Sequence, residues 1–232
     1  MPGPGRLDLV TYDLDGTLID GTAFLLVARA FDNEREVLFH DARFRAGEIT
    51  LEECYRIEFA LLAGRTVEEV HGALSRGTWF PGIADSVRAL KTAGLRVAVL
   101  TDNPDFVTQY LSRFGIDDQV ASRGEVNAGV VTGKVHASFD KWGNLRRFLE
   151  RHRIDPRRVA HIGNDVNDVR VWEHVGLGVC VAPTGPAVAA GADLVFPHID
   201  DHRPIADAVL AWHRGEPLAV PKDATVRGRA RA

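Results

Sequence analysis

The stretch LDLVTYDLDGTL, residues 7–18, decides the fold of this chain. Its first half, residues 7–12, is a short and mostly apolar run, which is typical of a buried strand in a parallel sheet. Two carboxylates, Asp13 and Asp15, and a Gly-Thr turn follow directly. Because residues two apart in a strand point to the same side, we expect both side chains at the carboxyl end of this strand.

The paired carboxylates predict a cation site. Two carboxylates about 4 Å apart repel each other by ~4 kcal/mol at an effective dielectric constant near 20. The pair of Asp13 and Asp15 therefore needs a cation or a shared proton, and a hard divalent ion is the simplest answer. A purely structural alternative is a turn whose aspartates cap the next helix.

Further apolar runs extend this pattern along the chain. Strands are predicted at residues 95–100, 159–162 and 177–181, and helices at residues 83–93, 105–114, 141–152 and 167–175. Strands that alternate with helices indicate βαβ units, so we predict an α/β fold with a Rossmann-like parallel sheet covered on both faces. Residues 125–135 have valines around glycine turns, which predicts a β-excursion from this plan.

Residues 21–79, named here the helical insert, break the alternation. They have no strand-like period, but two capping-box patterns, Thr50 with Glu53 and Thr66 with Glu69, predict helix starts. An insert of this length is too long for a simple crossover. We therefore predict a small cap at residues 21–79 over a core of residues 1–20 and 80–216. Residues 217–232, which are basic and poor in apolar side chains, are predicted to be disordered.

Composition excludes several classes of protein. A chain of 232 residues forms one large domain or a core with a small inserted domain. With 28 basic and 32 acidic side chains the net charge is −4, so we expect neither a nucleic-acid nor a membrane-surface partner. No apolar run reaches the ~20 residues that span a bilayer, and the first residues, MPGPGRLDLV, predict no secretion signal. The distant cysteines, Cys54 and Cys180, form no disulfide framework, so a cytoplasmic location is predicted.

Polar side chains also follow the second and third predicted strands. Residues 101–103, TDN, offer a hydroxyl and loop amides, which suit a phosphoryl oxygen. Residues 163–168, GNDVND, add carboxylate and amide oxygens at a strand-to-helix turn, and Lys141 begins a predicted helix. Oxygen ligands without histidine or cysteine favour Mg²⁺ over zinc.

These four motifs in this order resemble the haloacid-dehalogenase-like phosphohydrolase superfamily, over about residues 7–210. The helical insert is similar to the cap of its phosphoserine-phosphatase branch. The resemblance implies that Asp13 is a nucleophile that forms an aspartyl-phosphate, while Asp15 protonates the leaving alcohol and then activates water. The implied phosphate-binding residues are Thr101, Asp102 and Lys141. The implied Mg²⁺ ligands are Asp13, the Asp15 backbone carbonyl, Asn164 and Asp168, with Asp165 as an alternative.

The chain departs from that family at positions that matter for the substrate. Asn164 stands where an acid is usual, and Thr22 where the branch usually has a glutamate. Alignment on Gly47 puts Glu58 where the branch has a substrate-binding arginine, and Asp102 replaces a glycine. An arginine binds a substrate carboxylate and a glutamate repels it. We therefore expect a leaving group without a carboxylate, a sugar or amino-sugar, contacted by Thr22, Glu58 and Asp102.

The expected activity is Mg²⁺-dependent hydrolysis of a small phosphorylated metabolite. A phosphotransferase or mutase of the same superfamily would share every motif. A catalytically weak binding module is a third possibility, suggested by Asn164. Dehalogenation is disfavoured because an alkyl halide needs neither a metal nor Asp15.

Overall fold

The computed structural model describes residues 5–218, 220 and 222–226, and its centre is one eight-stranded sheet. The strands are β1 (Leu9–Tyr12), β2 (Arg96–Pro104), β3 (Asp118–Asn127), β4 (Val130–His136), β5 (Val159–Gly163), β6 (Leu177–Val181), β7 (Leu194–Phe196) and β8 (Thr225–Val226). Their order is β4-β3-β2-β1-β5-β6-β7-β8. The edge strands β4 and β8 pair antiparallel with their neighbours, and the strands between them pair parallel.

Strand β1 lies at the centre of the sheet, between β2 and β5. Leu9 is in register with Arg96 on one side and with Val159 on the other. Strands β2, β3 and β4 follow β1 in the chain and extend the sheet on one side of it. The later strands β5 to β8 extend the sheet on the opposite side of β1. Such a reversal of strand order opens a crevice at the carboxyl edge, where ligands bind in open α/β sheets. The residues that follow β1 therefore lie at this crevice.

Helices cover both faces of the sheet. They are α1 (Ala23–Ala30), α2 (Glu34–Arg45), α3 (Leu51–Ala60), α4 (Val67–Leu74), α5 (Ile83–Thr92), α6 (Asp105–Thr108), α7 (Lys141–His152), α8 (Val166–Trp172), α9 (Pro186–Ala190) and α10 (Arg203–Arg214). Val10 and Tyr12 of β1 pack into one core with α5 and α10, whereas Leu9 packs into a second core with α7. This alternation is the period of two expected for a strand buried on both faces. The prediction of an α/β fold is thus confirmed.

The helical insert contains α1–α4. Both predicted capping boxes are present: Thr50 accepts a hydrogen bond from the Glu53 amide, and Thr66 accepts one from the Glu69 amide. The insert contacts the β3–β4 hairpin, because the Val67 amide donates to the Gly129 carbonyl at 2.9 Å. The division of the chain into a core and a cap stays a prediction.

The other sequence predictions have mixed outcomes. The strand at 177–181 and the helix at 141–152 have the predicted bounds, and the β-excursion is the β3–β4 hairpin. Residues 105–114 form a short α-helix, α6, followed by a 3₁₀ helix at Gln109–Phe114. Strand β7 and helices α9 and α10 were not predicted from the sequence. Within the described residues no helix has the length and apolar character needed to cross a membrane.

The prediction that the whole segment 217–232 is disordered is wrong at Thr225–Val226. These residues form β8, which pairs with Leu194 and Val195 of β7. The free edge of β7 offers backbone hydrogen bonds, and Leu218, Val220 and Ala224 pack against the main core. Residues 219, 221 and 227–232 lie outside the described part of the chain.

Candidate active site

A cavity of about 380 Å³ opens at the carboxyl ends of β1, β2 and β5, beside the helical insert. Its lining residues are Asp13, Asp15, Gly16, Gly21, Thr22, Tyr55, Thr101, Asp102, Asn164, Asp165, Asn167 and Thr184. Side chains from all three strand ends therefore share one wall. Most of the residues predicted from the motifs are in this set.

Asp13 continues the line of β1 into the cavity. Its amide donates to the Ile162 carbonyl at 2.8 Å, which extends the pairing of β1 with β5 and fixes the backbone. Its side chain is almost completely buried, and its Oδ1 lies 2.9 Å from the Lys141 Nζ. Burial raises the pKa of Asp13 to about 8 although the Lys141 ammonium lowers it; Asp168 and Asp15 add to the rise. A cation beside this carboxylate would favour its charged form.

Asp15 is held by two hydrogen bonds in the turn after β1. Its Oδ1 accepts from the Ala23 amide at 2.7 Å, at the start of α1, and its Oδ2 accepts from Asn103 Nδ2 at 2.7 Å. Asn103 Nδ2 also lies 3.2 Å from Thr101 Oγ1, so it links the first two motifs. Burial raises the pKa of Asp15, and the two hydrogen bonds partly offset this. A raised pKa suits a carboxyl group that must carry a proton.

Lys141 lies in a buried network behind Asp13. It is the first residue of α7 and only 4% exposed, and its Nζ contacts Asp168 Oδ1 at 2.5 Å as well as Asp13. Burial lowers the pKa of Lys141, but the two carboxylates raise it above its ordinary value. The ammonium is therefore charged and held in place. His161 completes the network, with its Nε2 2.9 Å from Asp168 Oδ1.

Asp168 does not fit its predicted role as a metal ligand. It is 0% exposed and is not among the cavity-lining residues. Its Oδ1 is taken by Lys141 and His161, and its Oδ2 accepts the amides of Asn164 and Asp165 at 2.9 and 3.0 Å. Although burial acts to raise it, the pKa of Asp168 is held below its ordinary value by Lys141 and His161. Asp168 instead shapes the turn that presents Asn164.

Asn164 and Asp13 provide an oxygen-donor set for a metal ion. Both line the cavity, and Asn164 lies against the turn after β1, because a Cβ on Gly16 would be 2.3 Å from Asn164 Nδ2. Carboxylate, amide and backbone oxygens are the donors that Mg²⁺ prefers. The residues present therefore fit the predicted ion. Asp165 also lines this wall, but its Oδ1 accepts from Thr184 Oγ1 at 2.7 Å.

The two predicted contacts from the helical insert differ in position. Thr22 lines the cavity and caps α1 by accepting from the Leu25 amide. Glu58 is not a lining residue, so its predicted contact with substrate does not fit the structure. It is 6% exposed, and its Oε1 accepts from Cys54 Sγ at 3.3 Å. Burial, with Asp41 nearby, raises the pKa of Glu58 to about 7.

Tyr55 faces the cavity from the insert, and the sequence analysis missed it. It is on α3, one helical turn before Glu58, and its ring packs edge-on against Phe139 at 4.9 Å and Phe59 at 5.3 Å. His161 was not predicted either, although it is a lone polar side chain inside the apolar run at 159–162. These residues support or line the site without belonging to a motif.

Comparisons with known proteins identify similar sequences. The family model for haloacid dehalogenase-like hydrolase matches residues 10–173. A phosphoserine phosphatase from Methanocaldococcus jannaschii is 27% identical over 182 residues, which cover 75% of this chain and 86% of that protein. One from Archaeoglobus fulgidus is 28% identical over 176 residues, 74% of this chain, but this match spans only 51% of that relative's length.

Solved structures show the same fold. A phospho-aspartyl intermediate analogue of phosphoserine phosphatase superposes with a TM-score of 0.69 at 24% identity, covering 86% of this chain and 97% of the other. A probable phosphoserine phosphatase from Vibrio cholerae gives a TM-score of 0.73 at 18% identity, covering 90% and 67%. The family model matches most of this chain, and the four motifs lie around one cavity. This chain therefore belongs to the haloacid dehalogenase-like hydrolase family.

Proposed function

We propose that this protein is a Mg²⁺-dependent phosphomonoesterase with Asp13 as its nucleophile. The observation that carries this proposal is the buried contact of Lys141 Nζ with Asp13 Oδ1, 2.9 Å, at a cavity wall shared with Asp15, Thr101 and Asn164. A carboxylate that attacks a phosphate dianion meets like-charge repulsion, so it needs cations beside it. Lys141 is one, and a metal held by Asp13 and Asn164 would be the other.

In the first step an Asp13 carboxylate oxygen attacks phosphorus and the bond from phosphorus to the leaving oxygen breaks. Asp15 donates its proton to that leaving oxygen, so the alcohol departs neutral. Lys141 and the Thr101 hydroxyl stabilise charge on the phosphoryl oxygens. When bound, Mg²⁺ would neutralise phosphate charge and orient the ester at Asp13.

In the second step water hydrolyses the acyl phosphate on Asp13. Asp15, now ionised, takes a proton from the water, and the bond from Asp13 to phosphorus breaks. Inorganic phosphate leaves, and both carboxyl groups return to their starting states. The hydrogen bonds from Ala23 and Asn103 hold Asp15 in one position for both proton transfers.

The test is phosphate release from an aryl phosphate in the presence of MgCl₂. Asp13→Asn keeps the shape of the side chain but removes the nucleophile, so we expect a loss on the order of 10³-fold or more. Asp20→Asn is a matched control, because Asp20 is an exposed acid in the same segment. If Asp13→Asn retained wild-type activity with added Mg²⁺, the proposal would be wrong.

The cavity supports a finer proposal, that the leaving group carries no carboxylate and is a sugar or amino-sugar. Among the described residues that line it there are four aspartates and neither lysine nor arginine. A substrate carboxylate would meet no cation there. The relatives named above are phosphoserine phosphatases, so the two indications differ. We expect higher kcat/KM for glucose or glucosamine 6-phosphate than for phosphoserine, and the reverse order would contradict the finer proposal.

One observation favours a second candidate, a catalytically weak binding module. Asn164 is a neutral side chain at the wall where the metal would bind, and fewer charged ligands weaken Mg²⁺ binding. Such a protein would bind Mg²⁺ poorly and release no phosphate from an aryl ester. A phosphotransferase would instead move phosphate to an added alcohol, which product analysis in the same assay detects.

A further inference from the structure

Asp102 differs from the other acids of the cavity because its carboxylate has no partner. The other three are held: Asp13 by Lys141, Asp15 by Ala23 and Asn103, and Asp165 by Thr184. Asp102 also lines the cavity, but its Oδ1 is buried and receives no hydrogen bond from the described residues. No ion pair to Asp102 occurs in the described part of the chain either.

Asp102 is half-buried, and a buried carboxylate oxygen without a hydrogen-bond partner is unfavourable, so its position at a binding wall favours a ligand that supplies the missing donor. The cavity wall cannot supply a cation, because no lysine or arginine is among its described residues. Lys141 lies nearby, but its ammonium is engaged by Asp13 and Asp168. A donor on the bound substrate would supply the missing partner.

Tyr55 lies on the helical insert and lines the same cavity. Burial raises the pKa of Tyr55 well above its ordinary value, and the charges of Asp102 and Asp15 add to this. The Tyr55 hydroxyl therefore stays protonated and neutral. Tyr55 is also close enough to Asp102 for the charge of that carboxylate to affect it. A neutral hydroxyl and an aromatic ring do not repel a small organic cation, whereas a basic side chain at this position would repel it.

We infer that Asp102 binds an ammonium group on the leaving alcohol, so that the substrate class is a phosphorylated amino alcohol. An aliphatic ammonium offers three hydrogen-bond donors and a full positive charge. The Asp102 carboxylate has neither a donor nor a cation as a partner among the described residues, so the two groups are complementary. The inference rests on the proposed phosphomonoesterase function and names the substrate of that same site. It gives Asp102 a part in specificity, distinct from phosphate binding at Thr101.

The experiment compares kcat/KM for 2-aminoethyl phosphate and 2-hydroxyethyl phosphate, which differ only in an amine against a hydroxyl. For the wild type we expect the amine ester to be preferred at least about tenfold, the size of one hydrogen bond to a charged group. In Asp102→Asn this preference should fall to about one. Asp165→Asn is the matched control: it removes the same charge from the same wall, but from an acid already held by Thr184, and should keep most of the preference.

The readout is a ratio of two substrates, so a general loss of activity in a variant does not imitate the expected result. Asp102→Ser is a second variant in case the asparagine form does not fold, and the wild-type ratio needs no variant at all. A wild-type ratio near one, or a preference that persists without the Asp102 carboxylate, overturns the inference. Absence of phosphate release from both esters and from an aryl phosphate contradicts the proposed function instead.

Discussion

Replacement of Glu58 by glutamine should stabilise the protein at alkaline pH. Glu58 is buried where α2 packs on α3, and its carboxylate accepts a hydrogen bond from Cys54 and has Asp41 nearby. No ion pair to Glu58 exists among the described residues. Glutamine keeps the oxygen that Cys54 needs and removes the charge, so the change isolates the cost of burying that charge.

The magnitude follows from the pKa of Glu58, which burial raises from 4.5 to about 7. The unfolded chain releases this proton near pH 4.5 and the folded chain holds it until about pH 7. The stabilisation linked to the bound proton is therefore complete below pH 4.5 and is lost as the pH rises through 7. The shift sets an upper limit of about 3 kcal/mol. Because burial of the carboxylate causes most of the shift, local relaxation and water penetration reduce this to about 1–2 kcal/mol.

The assay is urea unfolding at pH 5 and pH 8.5, followed by circular dichroism. The advantage of Glu58→Gln over wild type should be larger at pH 8.5, by about 1–2 kcal/mol. Glu52→Gln, on the exposed side of the same helix, should show no such growth with pH. An advantage that is equal at both pH values, or larger at pH 5, refutes the reasoning. A change in KM would show that Glu58 touches the substrate, contrary to its placement outside the cavity.

Three further predictions concern the site. Lys141→Met leaves the carboxylates of Asp13 and Asp168 buried without their cation, so without added Mg²⁺ it should cost about 3–5 kcal/mol of unfolding free energy in urea; a loss under 1 kcal/mol would contradict this. Asn164→Asp adds a charged ligand and should raise Mg²⁺ affinity about tenfold in titrations of aryl phosphate hydrolysis, and an unchanged affinity would count against Asn164 as a ligand. Gly16→Ala puts a Cβ 2.3 Å from Asn164 Nδ2, at a residue whose φ is +67°. It should therefore displace Asn164, lower Mg²⁺ affinity and cost about 1–2 kcal/mol of unfolding free energy. An unchanged Mg²⁺ affinity would show that the contact of Gly16 with Asn164 does not affect the metal site.

The central strands and their polar ends could be predicted from the sequence because their signals are local. A strand buried on both faces has an apolar run, and β6 and α7 have the bounds that their patterns predict. The edge of the sheet could not be predicted in the same way. Strand β7 has three residues and β8 has two, and runs that short have no period. Their pairing depends on the free edge of β6, which no local pattern encodes.

The side-chain directions within each motif were harder to predict than the motifs. Asp168 and Asn164 are four residues apart in one turn, but only Asn164 lines the cavity, since Asp168 turns back to Lys141 and His161. Tyr55 and Glu58 are three residues apart on α3, and the packing of that helix against α2 directs Glu58 inward and Tyr55 to the cavity. Residues three apart lie on roughly the same face of a helix. Which of them faces the cavity depends on how the helix is rotated about its axis, and packing against neighbouring helices sets that rotation.

The charge balance of the buried network of Lys141, Asp13 and Asp168 bears on three features of the site. These are the expected metal ion, the lack of a cation for a substrate carboxylate, and the proposed role of Asp102. One ammonium, that of Lys141, faces two carboxylates, those of Asp13 and Asp168, so this buried network has no excess positive charge. A phosphate dianion would add further negative charge to this wall, and a divalent cation would offset that charge. A substrate carboxylate would increase the imbalance, whereas an ammonium on the leaving group would reduce it at Asp102. Under the proposed function, the network that holds Asp13 would thus also favour a leaving alcohol that carries a positive charge over one that carries a carboxylate.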